Sequence, residues 1–109
     1  MSTISDAAKR ALFEKLAENM QLIYRKAIDA DDVLAKLQQS GKGKFQNVFT
    51  QDAGFTVQSK RFMPYVKELA GQVVELEQEQ DEELQIKLAE IVKKMELLLS
   101  TLNQFKSSV

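Results

Sequence analysis

Residues 76–84 read Leu76-Glu77-Gln78-Glu79-Gln80-Asp81-Glu82-Glu83-Leu84, and their spacing separates one long helix from two shorter ones. Upstream, an apolar seam steps by three and four through Phe62, Val66, Leu69, Val73 and Leu76. Downstream, a second seam steps the same way through Leu84, Leu88, Ile91, Met95, Leu98, Leu102 and Phe105. Between Leu76 and Leu84 the gap is eight residues, one more than a heptad. A continuous helix can absorb that residue as a stutter. Alternatively the chain turns near residues 78–81, with Asp81 as N-cap and Glu82 and Glu83 in a new first turn. Residues 72–99 contain no Gly, Pro, Ser, Thr or Asn and are dominated by strong helix formers. The spacing and composition together predict one helix over about 59–105, bent near 77–82, with a break there as the alternative. Pro64 fits the first turn of that helix, where its missing N–H costs nothing.

Working outward toward the N-terminus, residues 5–39 carry a heptad seam of Phe13, Leu16, Met20, Ile23, Ala27, Ala30, Leu34 and Leu37. Ser5 or Ser2 is the expected cap, Asp6 suits the first turn, and Gly41 supplies the stop. Such a helix is ~50 Å long. Ala27 and Ala30 narrow its middle, where a partner helix can approach. Gly71, which costs about 1 kcal/mol against Ala inside a helix, is the expected counterpart of that close crossing.

The connector, 40–58, holds three of the four glycines and three of the six phenylalanines. Residues 40–43 read as a turn, and the apolar spacing at Phe45, Val48 and Phe49 predicts a short helical turn over about 44–50. The expected fold is therefore all-α: a long antiparallel hairpin with a short helical connector. Consecutive Leu97, Leu98 and Leu99 widen the last stripe beyond what one partner helix covers. A two-fold dimer in a four-helix arrangement is expected, with Val92, Met95, Leu97, Leu98, Leu99 and Leu102 at its interface. The alternative is a monomeric three-helix bundle broken near Asp81.

Composition excludes more than it assigns. The chain has 109 residues, a net charge of −1, and neither cysteine nor histidine. Thiolate chemistry, disulfides and the commonest general base and metal ligand are therefore unavailable. No Walker spacing or nucleophilic triad can be assembled, and no cofactor or metal is expected. No apolar run reaches the ~18 residues of a membrane span, and the acidic N-terminus does not read as a secretory signal. A cytoplasmic, non-enzymatic protein is expected.

Two sets of residues are candidates for recognition. Phe45, Phe49, Phe55, Phe62 and Tyr65 are the candidate partner-binding aromatics, with Lys42, Lys44, Lys60 and Arg61 as basic contacts. Aromatics among cations suit an acidic amphipathic protein segment or, alternatively, single-stranded nucleic acid. The bland reading has the phenylalanines plugging an open bundle end, with lysines reaching past them. The acidic run over 75–83 reads as a solvated face, or as one that meets the basic middle of a second subunit. The function expected is a small helical adaptor, regulator or chaperone-like protein that offers a groove or bundle end to another protein. In general shape this is similar to small helical chaperones and regulators of bacterial secretion and flagellar systems, although no motif carries the likeness.

Overall fold

A computed structural model describes residues 5–41 and 48–108. The described residues are all-helical and contain no strand. Three α-helices, α1 (Asp6–Gln39), α2 (Met63–Leu76) and α3 (Asp81–Ser108), are joined by a long loop and a tight turn. Each helix packs against the other two. The chain measures 56 × 24 × 18 Å, its long dimension set by α1.

The local signals place α1 where the seam does. Ser5 caps it, its side chain accepting from the Ala8 N–H at 3.1 Å. Asp6 lies in the first turn and Lys36 in the last, each of the sign the helix dipole favours. At the far end Gly41 takes φ +71° and donates to the Gln38 carbonyl at 3.2 Å. That left-handed conformation is why a glycine stands there.

The second half departs from the expected single helix. α2 stops at Leu76 and α3 starts at Asp81, leaving Glu77 to Gln80 as the turn. The cause lies in the eight-residue gap. On a straight helix Leu76 and Leu84 would point roughly 80° apart, and one partner could not cover both seams. Turning back buries both, at 0% and 1% exposure. Burial of a large side chain at about 1.5–3 kcal/mol outweighs the few tenths per residue by which Glu and Gln favour helix over coil. Asp81 is the first helical residue and not the cap. The Gln80 carbonyl accepts the first bond of α3, from the Leu84 N–H at 2.7 Å.

Two contacts fix the helix directions. Lys9 of α1 pairs with Asp81 of α3 at 2.8 Å at one end. The Phe62 ring, just before α2, meets Phe105 of α3 at 5.7 Å between centroids at the other. Hence α1 and α3 run the same way and α2 runs against both.

The core is one cluster. Leu16, Ile23, Ala27 and Ala30 come from α1, Tyr65, Val66, Leu69, Val73 and Leu76 from α2, and Leu84, Ile91, Met95, Leu98 and Leu102 from α3. Gly71 is no part of a close crossing. It is exposed, and a Cβ built on it meets nothing within 4 Å. The loop contributes Phe49, Phe55 and Phe62. Its short 3-10 helix, Gln51–Ala53, ends on Gly54 at φ +97°. The helical turn expected over 44–50 falls mostly outside the described residues; residues 48–50 are bends and coil.

Candidate functional site

Phe49 and Phe55 of the connector pack into the side of the fold. Phe49 stacks on Phe55 at 5.2 Å, and both rings meet Tyr65 edge-on at 4.9 and 5.1 Å. The Lys94 ammonium lies 5.7 Å from the centre of the Phe55 ring. These contacts strap the loop across the side of the α2–α3 pair. Among the described aromatics of the set, Phe62, against Phe105, lies at a bundle end. Polar groups hold the strap down. Glu68 accepts from the N–H groups of Thr56 at 3.0 Å and Val57 at 2.8 Å. The Tyr65 hydroxyl accepts from the Ser59 N–H at 2.9 Å and donates to the Ser59 carbonyl at 3.1 Å.

Phe49, Phe55, Phe62 and Tyr65 are at most 7% exposed. Phe49, Phe55 and Tyr65 pack on one another and Phe62 on Phe105, so in this conformation none of the four is offered to a partner or to a stacking base. Base stacking on these four rings would require them to leave that packing. Phe45, Lys42 and Lys44 lie outside the described residues. Lys60 is exposed and Arg61 half-buried. The Arg61 Nη1 is buried without a hydrogen-bond partner among the described residues.

The residues expected at a dimer interface divide. Met95, Leu98 and Leu102 are buried by the chain's own helices, Leu99 is half-buried, and Val92 and Leu97 are exposed. The first three leave the surface because α3, turned back, presents its seam to α1 and α2. Two members of the acidic run pair with lysines on the helices: Asp81 with Lys9 at 2.8 Å and Glu79 with Lys87 at 2.6 Å. Among the described residues no cluster of carboxylates could hold a metal ion. No described helix is long and apolar enough to cross a membrane.

Among the described residues, grooves flank α1 on both sides. The first lies between α1 and α3, has a volume of about 240 Å³, and is lined by Lys26, Asp29, Ala30, Val33, Leu102, Phe105 and Lys106. Its origin is local. Ala30 occupies a seam position where a leucine would fill the space, so a slot opens between Val33 and the Leu102–Phe105 ridge. Ala30 and Leu102 form a buried floor, while Val33 and Phe105 are half-buried walls. Lys26 and Lys106 stand at the rim, and neither forms an ion pair among the described residues. The second groove, between α1 and α2, holds about 450 Å³ and is shallower, lined by Met20, Gln21, Tyr24, Arg25, Val66 and Ala70. Tyr24 remains 49% exposed beside it, and Ile28, one turn on, 47%.

None of Lys26, Val33 and Lys106 stood out in the sequence. The available signal was Val33, an apolar residue one step off the seam, next to the undersized Ala30. No protein-family model matches the chain, and neither do curated proteins or solved structures. The all-helical class and the geometry of the slot are therefore what a functional reading rests on.

Proposed function

We propose that this protein is a non-enzymatic interaction module, an adaptor or chaperone-like bundle, whose α1–α3 slot receives an apolar anchor from an acidic amphipathic segment of another protein. The observation that carries this reading is the slot itself: an apolar floor and walls from Ala30, Val33, Leu102 and Phe105, with Lys26 and Lys106 outnumbering the one carboxylate, Asp29, among its charged lining residues. Recognition of this helix-in-groove kind places one or two apolar side chains in such a depression and sets charges around it. The lysine rim selects acidic neighbours and speeds encounter more than it adds affinity. Exposed Tyr24 and Ile28 extend apolar surface along the opposite flank of α1.

The test is Val33→Glu, which puts a carboxylate into the slot from a half-buried wall. Wild type and variant are compared by helicity, by melting, and by the proteins each retains from its native cells. The reading requires at least one acidic-segment protein held by wild type and lost from a folded variant. Identical sets of retained proteins with a folded variant would exclude the slot as the site.

A further inference from the structure

The turn between α2 and α3 is made of residues that prefer to be helix. Glu77, Gln78, Glu79 and Gln80 form it, without a glycine or proline. Among the described residues positive φ occurs only at Gly41 and Gly54, so the turn uses no left-handed residue. Glu77 already sits at φ −62°, ψ −22°, a helical conformation. Its N–H and those of Gln78 and Glu79 donate to Val74, Glu75 and Leu76, three residues back. A straight helix would carry the same groups four residues back with nothing in the side chains to oppose it. What holds the turn closed is tertiary: Leu84, Ile91, Met95, Leu98 and Leu102 are buried on α1 and α2.

That burial does not require the three helices to belong to one chain. We propose that α3 exchanges between two copies of this protein, the turn straightening so that α2 and α3 form one helix of ~69 Å. Each α3 then packs on the α1 and α2 of the other copy. The core is conserved in the exchange, and Met95, Leu98 and Leu102 become contacts between chains while remaining buried. The Lys9–Asp81 pair also re-forms, now between copies.

Charge sets the direction of the balance. In the closed turn Glu79 reaches Lys87 at 2.6 Å. On a straight helix these two are eight residues and ~12 Å apart, too far to pair. Straightening also stacks Glu75 with Glu79, Glu77 with Asp81 and Glu79 with Glu83 at i, i+4, each pair mildly repulsive. The single chain is thereby favoured in dilute solution, and the exchanged pair at high concentration or after refolding from a concentrated state.

The hinge length is the handle. Deleting Gln78 shortens the turn by one residue and reduces the Leu76–Leu84 spacing to a heptad, which puts both seams in one register. Inserting Gly-Ser-Gly after Gln78 instead relaxes the turn and interrupts the straight helix. Light scattering should give twice the chain mass for the deletion variant and the single-chain mass for the insertion variant. The chain has no cysteine, so Gly71→Cys with Glu90→Cys accepts a pair of spin labels at two exposed positions. Diluted into unlabelled chain, that pair reports the distance within one copy. It should lengthen from about 10 Å, the separation of packed helices, to ~28 Å along a continuous helix. A folded deletion variant of single-chain mass would overturn the exchange. If that variant does not fold, wild type refolded at millimolar concentration decides: a slowly dissociating dimer with the long distance supports the proposal, and single-chain mass or a dimer keeping the short distance refutes it.

Discussion

Asp31, on α1, caps α2 from another helix: its carboxylate accepts from the N–H of Phe62 at 2.6 Å and of Met63 at 3.0 Å. Phe62 occupies the cap position and offers no side-chain acceptor of its own. One carboxylate thus does the work of a local Ser or Asp and ties α1 to the chain thirty-one residues on. Asp31→Ala should cost about 1–2 kcal/mol, at the upper end for a lost cap. Asp32→Ala next to it removes only an exposed i, i+4 pair with Lys36 and should change stability by less than about 0.5 kcal/mol. Urea unfolding of the two variants checks the contrast; equal losses would remove the capping role.

The aromatic strap is expected to be a stability element. Phe49→Ala and Phe55→Ala should each cost about 3–5 kcal/mol, the usual range for truncating a buried phenylalanine. Because the two rings stack at 5.2 Å, their double variant should lose less than the sum, by about 0.5–1.5 kcal/mol. A double-mutant cycle in urea measures this directly. Additive losses would mean the rings are held independently by α2.

These two cases show what could be read before the structure. The seams named the buried residues of α1 and α3, and those of α2 except Tyr65, because a three–four step places side chains on one face whatever the partner. Ser5, Gly41 and Pro64 marked helix ends for reasons confined to a few neighbouring residues. The break at Glu77 to Gln80 was harder to read. Local propensity there favours helix, and the opposing influence is the burial of Leu76 and Leu84 by distant segments. Asp31 and Glu68 act on backbone groups far along the chain, and nothing in their spacing announces it. The slot between α1 and α3 arises from a side chain too small for its place, Ala30, and becomes visible only once its neighbours are known.

Gly71 is expected to be replaceable at a gain. It lies inside α2, exposed, with open space where a Cβ would stand. Gly71→Ala removes conformational freedom from the unfolded chain and meets no neighbour in the folded one. Stability should rise by about 0.5–1 kcal/mol. Denaturant midpoints of the two proteins test this, and a loss would indicate that another molecule packs on that face.

The pair formed by Glu79 and Lys87 predicts a response to alkali. The hydrogen bond from Lys87 to Glu79 holds the Lys87 ammonium above the ordinary lysine value of 10.5, with the negative charges of Glu79, Glu83 and Glu75 adding to it and desolvation opposing. A lysine whose folded value is raised contributes stability that is fully present below the unfolded value. That contribution is lost as pH rises through the folded value. The window therefore lies above the ordinary lysine value, and acid does not open it through this group. Strong alkali acts on the whole chain, so the informative quantity is a difference between two proteins. In Glu79→Gln the carboxylate is gone, and the gap in stability between wild type and variant should be constant at neutral pH and shrink on crossing into strong alkali. The loss is small because Lys87 is exposed to solvent screening, and it should shrink further in high salt. Urea midpoints of both proteins on either side of the lysine range measure it. A gap that stays constant through that range would show that Glu79 and Lys87 do not pair in solution, and that the closed turn is held by the other contacts of α3, its buried seam foremost.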